Sequence, residues 1–212
     1  MSRTENLEFA SFGIKLEGIL HLPDGDGLFP ALAVCHPHPL HGGNMDNNIV
    51  VAIAEQLPEK GIAVLRFNFR GIGDSQGDYS EGLGEVEDAD EARKFLASHK
   101  LIDSGRVGLA GYSFGARMVL EVAEKEDPPK AIGLIAAPTN ALLIFNSVSL
   151  DMPKLLINGD KDTVAKFDRF AGLAYGYSDP KEVHVVSGAD HLFDGHESQV
   201  ANLVANFFEK YL

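Results

Sequence analysis

Val107-Gly108-Leu109-Ala110-Gly111-Tyr112-Ser113-Phe114-Gly115-Ala116 decides how this chain is read. The run before Gly111 is apolar and short, as in a buried strand. Residues 116–126 then place Met118, Val119 and Val122 at helical spacing among good helix formers. A strand that turns directly into a helix forces the turn residue to positive φ. The positions two before and two after it must be small if strand and helix are to approach, and both are glycine. Ser113 is then held clear of the backbone, beside a helix N-terminus that favours developing negative charge. Gly-x-Ser-x-Gly in this frame marks Ser113 as a candidate nucleophile.

A serine nucleophile needs a base, and the base needs an acid to orient it. Lys154-Leu155-Leu156-Ile157-Asn158 reads as a buried strand with Asp160 and Asp162 just beyond it. Glu182 to Val186 reads as another, followed by the turn Ser187-Gly188-Ala189-Asp190 and then His191. The chain order Ser113, Asp162, His191 is the order this serine motif requires. Each residue lies past the C-terminal end of a strand, the edge of an open α/β sheet where ligands bind. Asp160 is nearer its strand and is read as binding amides of its own turn. Asp190 is adjacent to His191 and poorly placed to face it. His196 reads as a surface or cap residue at the start of the last helix, and His184 and His99 as structural.

Strands and helices alternate along the whole chain. Strands are expected at 5–9, 14–22, 31–35, 62–67, 107–110, 131–135, 154–158 and 182–186. Helices are expected at 47–60, 85–99, 116–126, 166–174 and 197–211. Continuous apolar strands separated by amphipathic helices predict a mostly parallel sheet covered on both faces. At 212 residues, with no long linker or repeat, the chain reads as one domain. No apolar run approaches the length of a membrane span, and the first residues lack the apolar core of a signal peptide. Cys35 is the only cysteine, so no intrachain disulfide forms and a reducing, cytoplasmic setting is expected. The net charge of −13 argues against nucleic acid and anionic membranes as partners. A homodimer is compatible with the sequence.

Three loops follow strand ends. His36-Pro37-His38-Pro39-Leu40-His41-Gly42-Gly43-Asn44 sits where a serine hydrolase places one of its two oxyanion-binding amides, the other being that of Phe114. Pro37 and Pro39 carry no amide hydrogen, so the candidates are His38 and Leu40, with His38 favoured. Three histidines in six positions also suit zinc, but no metal-binding spacing accompanies them and no metal is expected. Arg70 to Asp78 is glycine-rich without the lysine of a phosphate loop and reads as structural. The acids Glu85, Glu87, Asp88, Asp90 and Glu91 that follow read as a solvated face complementing a helix dipole. The third loop, 136–153, is too short for a cap domain. Its Leu142, Leu143 and Phe145 either line a shallow acyl pocket, with Leu40, or form one turn of core helix.

The motifs His36-Pro37-His38-Pro39-x-x-Gly42-Gly43, Arg66-Phe67-Asn68-Phe69-Arg70-Gly71-Ile72-Gly73-Asp74-Ser75-Gln76-Gly77, Gly111-Tyr112-Ser113-Phe114-Gly115 and Gly188-Ala189-Asp190-His191 resemble the small capless branch of the α/β-hydrolase superfamily. That branch holds carboxylesterase-like and dienelactone-hydrolase-like proteins. The resemblance covers nearly the whole chain and implies an α/β-hydrolase fold with about eight strands, mostly parallel, helices on both faces and no cap domain. It also implies a Ser113–His191–Asp162 triad and an oxyanion hole from Phe114 and the His38 region; no cofactor is expected. Dienelactone hydrolases proper use cysteine where this chain has Ser113. The expected activity is two-step hydrolysis of small or short-chain carboxylic esters. Thioesters, lactones and small amides are alternative substrates for the same triad, and a non-catalytic binding module is the alternative of another class.

Overall fold

The computed structural model of the chain describes residues 3–146 and 150–212. Its strands are β1 (Arg3–Ser11), β2 (Ile14–Leu22), β3 (Phe29–Cys35), β4 (Ala63–Phe67), β5 (Ile102–Tyr112), β6 (Ile132–Ile135), β7 (Lys154–Gly159) and β8 (Lys181–Val186). They form one eight-stranded sheet in the order β1-β2-β4-β3-β5-β6-β7-β8, with β1 and β8 outermost. β2 pairs antiparallel with both neighbours, and every other pairing is parallel. The loops that leave the C-terminal ends of β3 to β8 therefore gather along one edge of the sheet.

The helices are α1 (Asn48–Gln56), α2 (Leu83–Ser98), α3 (Phe114–Ala123), α4 (Thr139–Phe145), α5 (Phe167–Gly176) and α6 (Glu197–Tyr211). Alternation along the strands divides the apolar side chains between two cores. Ala31, Ala33 and Cys35 of β3 face the core shared with α2 to α5. Leu32 and Val34 face the other, filled by Ile49 and Ile53 of α1 and by Val200, Val204, Phe207 and Phe208 of α6. β7 divides in the same way, Leu156 to the first core and Leu155 and Ile157 to the second. Each face thus excludes water, which is why these strands read as unbroken apolar runs. Among the described residues, no helix is long and apolar enough to cross a membrane.

Three expectations change. β5 begins at Ile102, not Val107, because Ile102 pairs with Phe29 across an irregular register, with residues 103–106 set opposite Pro30 alone before pairing resumes at Ala31 and Val107. The loop 136–153 holds α4, which buries Leu142 and Phe145 in the core and leaves Leu143 exposed; residues 147–149 of that loop lie outside the described residues. The acids in the first half of α2 are not all a solvated face, since Glu85, Asp88 and Asp90 are buried. Asp88 accepts from Ser11 Oγ at 2.6 Å and grips Arg70 through its backbone amide, Nε and Nη2 at 3.1, 2.9 and 2.7 Å. Glu85 accepts from the amides of Ser80 and Gly82, both at 2.8 Å. A buried carboxylate is tolerated only with such partners, and here they pin the loop that leads from β4 into α2.

Candidate active site

Ser113 sits between β5 and α3 with φ 55° and ψ −112°, a conformation that side chains seldom adopt. The flanking glycines make it attainable. A Cβ on Gly111 would lie 2.3 Å from the carbonyl of Gly115, and one on Gly115 would lie 2.3 Å from the Cys35 carbonyl oxygen. Gly111 thus lets the helix fold back on its own strand, and Gly115 lets it rest on the end of β3. The Ser113 amide donates to Ile135 O at 2.8 Å, which ties the turn to β6.

The three residues singled out in the sequence meet at the sheet edge. Ser113 Oγ lies 2.9 Å from His191 Nε2, and His191 Nδ1 lies 2.8 Å from Asp162 Oδ2. The Asp162 side chain is fully buried, and its other oxygen accepts from the amides of Val164 and Ala165 at 2.8 and 2.7 Å. Both oxygens are therefore partnered, and the carboxylate has one orientation. Nδ1, facing a carboxylate, carries the imidazole proton, so Nε2 presents a lone pair to the serine hydroxyl.

Neighbouring residues hold these loops, and sequence reading missed their part. Tyr112, buried against Phe193, donates its hydroxyl to the His191 carbonyl at 2.5 Å. Burial and the carboxylates of Asp162, Asp190 and Asp194 push its phenol upward, so it stays a donor. Asn158 Nδ2 donates to Ala165 O at 3.0 Å and braces the turn after Asp162. Asp160 accepts from Gly188 N at 2.7 Å and Ser187 Oγ at 3.1 Å, tying the Asp162 loop to the His191 turn and not closing its own turn as expected. Tyr112 adjoins the serine, which is the one sequence signal it offered; the other two contacts are visible only in space. Asp190 accepts from Leu192 N at 2.9 Å, and His196 caps α6 without a side-chain bond.

In the histidine loop, the His38 carbonyl accepts from the amides of His41 and Gly43, both at 3.0 Å. The Leu40 amide donates to His38 Nδ1 at 3.2 Å and so is occupied. Among the described residues no hydrogen bond occupies the amides of His38 or Phe114. His36 is buried, its Nε2 accepting from Phe69 N at 3.1 Å and its Nδ1 donating to Pro37 O at 2.7 Å. Nε2 thus ties this loop to the one after β4, and Nδ1 is spent on the loop's own backbone. Among the described residues no three His, Cys, Asp or Glu side chains converge to hold a metal ion.

A cleft of about 880 Å³ opens over Ser113 and His191. Its lining includes the clustered rings of His38, Tyr79 and Phe114 with Arg117, the residues Leu192 and Asp194 that follow His191, and Pro138, Asn140 and Val164. Leu40, Leu142, Leu143 and Phe145, read from the sequence as pocket residues, do not line it. Leu142 and Phe145 are core residues, and the side chains of Leu40 and Leu143 stand out in solvent. Helical spacing in α4 puts Leu142 and Phe145 on the inner stripe and Leu143 on the outer one.

The chain matches the dienelactone hydrolase family model over residues 79–209 and the X-Pro dipeptidyl-peptidase (S15 family) model over residues 13–143. An α/β serine hydrolase homologue from Coxiella burnetii is 34% identical and superposes with a TM-score of 0.84 over 95% of this chain and 96% of its own. A serine hydrolase from Xanthomonas campestris described as lacking a lid is 26% identical, with a TM-score of 0.84 over 99% of this chain and 95% of its own. Esterase EstD of Thermotoga maritima is 33% identical over 132 residues, which are 60% of this chain and 31% of that esterase. The two matches overlap over residues 79–143, which contain Ser113. This chain belongs to the dienelactone hydrolase family and has the fold of the capless α/β hydrolases, with Ser113 at the tight turn between β5 and α3.

Proposed function

We propose that the protein hydrolyses small or short-chain carboxylic esters through an acyl-enzyme on Ser113. The observation that carries this reading is the unbroken relay of 2.9 and 2.8 Å from Ser113 through His191 to Asp162, at the floor of an open cleft. His191 takes the serine proton as Oγ attacks the ester carbonyl, and Asp162 holds the imidazole in the required tautomer and stabilises its cation. The Phe114 amide, at the N-terminus of α3, and the His38 amide receive the oxyanion. His191 then protonates the leaving alcohol, and water attacks the acyl-enzyme by the same route. An open cleft supplies no enclosed channel for a long acyl chain, which favours short ones.

Labelling with a fluorophosphonate, followed by intact mass and peptide mapping, tests the nucleophile. One adduct on Ser113 is expected, with none on Ser113→Ala. That variant should lose turnover by on the order of 10³-fold or more while keeping its fold. A well-folded wild-type protein that takes no adduct would leave a non-catalytic binding module. Decanoyl esters cleaved faster than acetyl or butyryl ones would refute the short-chain preference. The same acyl series extended to thioesters, lactones and small amides ranks the leaving groups.

A further inference from the structure

Hydrogen-bond accounting around His38 fixes the direction in which Tyr79 works. A backbone amide can only donate, so His38 Nδ1, 3.2 Å from Leu40 N, is an acceptor and carries no proton. The ring proton of a neutral His38 is then on Nε2. That nitrogen lies 3.3 Å from Tyr79 Oη, so the imidazole donates and the phenol oxygen accepts. Tyr79 has one hydroxyl hydrogen, and this arrangement turns it away from His38.

The wall around it is rigid. The rings of His38, Tyr79 and Phe114 pack together at centroid distances of 4.9, 5.3 and 6.2 Å. The next residue, Ser80, is held by Glu85 through both its amide and its hydroxyl. Burial, with His41 beside it, holds the His38 imidazole below its usual range. Burial and the carboxylates of Glu85 and Glu81 hold the Tyr79 phenol above its usual range and keep it protonated. Arg117 lines the same wall with its Nε committed to Glu121 at 2.7 Å, and its remaining N–H groups are donors as well.

If Ser113 is the nucleophile, on which this inference rests, the leaving alcohol must lie against His191, whose turn continues into the Leu192 and Asp194 wall. The acyl part is then left to the Tyr79 side. An all-carbon chain laid there would strip water from the hydroxyl and return no acceptor, whereas an oxygen in the chain would satisfy it. We propose that Tyr79 is a substrate-contacting hydrogen-bond donor that selects esters whose acyl group carries an acceptor oxygen, as in hydroxy-, alkoxy- or keto-acyl esters.

The test compares 4-nitrophenyl methoxyacetate with 4-nitrophenyl butyrate, chains of equal length that differ by one oxygen. Tyr79→Phe keeps the ring and removes the donor. Its kcat/KM should fall about 10–100-fold on the methoxyacetate and less than about threefold on the butyrate. Referring each ester to its own wild-type value cancels intrinsic reactivity. The rate of fluorophosphonate labelling of Ser113 reports that the relay is intact in the variant. His38→Asn offers an acceptor to the Leu40 amide but is too short to reach Tyr79 as Nε2 does, and should lose part of the same preference. Equal losses on both esters, or none on either, in both variants would overturn the proposal while leaving the hydrolase reading standing. A wild-type protein that turns over neither ester and takes no label would overturn both.

Discussion

Ser113 is held where its backbone is least comfortable, at φ 55° and ψ −112°. Such a conformation costs of order 1–3 kcal/mol and persists because the surroundings determine it. Glycine adopts it freely, at the expense of a more flexible unfolded chain. Ser113→Gly should therefore abolish ester turnover and yet raise stability by about 1 kcal/mol, read from urea midpoints. Ser113→Ala, which keeps a Cβ, should abolish turnover without that gain. The strain was legible in the sequence because it follows from local geometry: a strand, a helix and two glycines around one residue. The same holds for Asp162 and His191, each placed by the strand before it. Tyr79 and Tyr112 were not legible, because each acts on a partner far away in the chain, and Asn158 was not, because its contact with Ala165 depends on how the intervening turn folds back. A tyrosine's burden is set by what its hydroxyl meets, which no local pattern encodes.

Between elements, α6 fits tightly on the sheet. Phe208 lies over Gly108 of β5 and Gly133 of β6, where Cβ atoms would come within 2.7 and 3.2 Å of its ring. Two glycines on adjacent strands thus form the socket for one aromatic ring. Gly108→Ala should destabilise by about 1–3 kcal/mol through overpacking, and adding Phe208→Leu should recover part of that loss. Thermal or urea unfolding of the two single variants and the double variant measures the coupling. Apart from α4, strand and helix order was readable from apolar period and terminating residues, and α6 was placed to the residue. What misled was polarity taken as exposure. Glu85 and Asp88 look like dipole-complementing surface acids, but they are sealed in because Arg70, Ser11 and the amides of residues 80 and 82 arrive from elsewhere in the chain. The apolar trio of α4 misled in the opposite sense, since one helical turn spreads its side chains between core and solvent.

At the scale of the whole molecule, acid should be the weak point. Burial, and for His21 also the charge of Arg66, lowers the imidazole pKa of His21 and His36 from 6.5 to about 4. Both are neutral in the fold, while in the unfolded chain both take up a proton below their ordinary pKa. Their contribution to stability is full above about pH 6.5 and is lost as the pH falls toward 4, on the order of 3 kcal/mol for each. Urea midpoints should drop steeply between pH 7 and pH 4.5, and His36→Gln should be less stable at pH 7 but show a shallower decline. A decline as steep in that variant as in wild type would place the acid sensitivity elsewhere. The outermost strands have a different bearing on how the protein behaves. A sheet margin is where a foreign strand could add, and here one margin carries Glu5 and Glu8 and the other Lys181 and Glu182. Glu8 and Glu182 are further engaged by Lys15 and Lys210. Colloidal behaviour is therefore governed at the rims and thermal endurance in the two cores. A variant with neutral rims could melt at the same temperature, keep its cleft, and still come out of solution as fibres when concentrated.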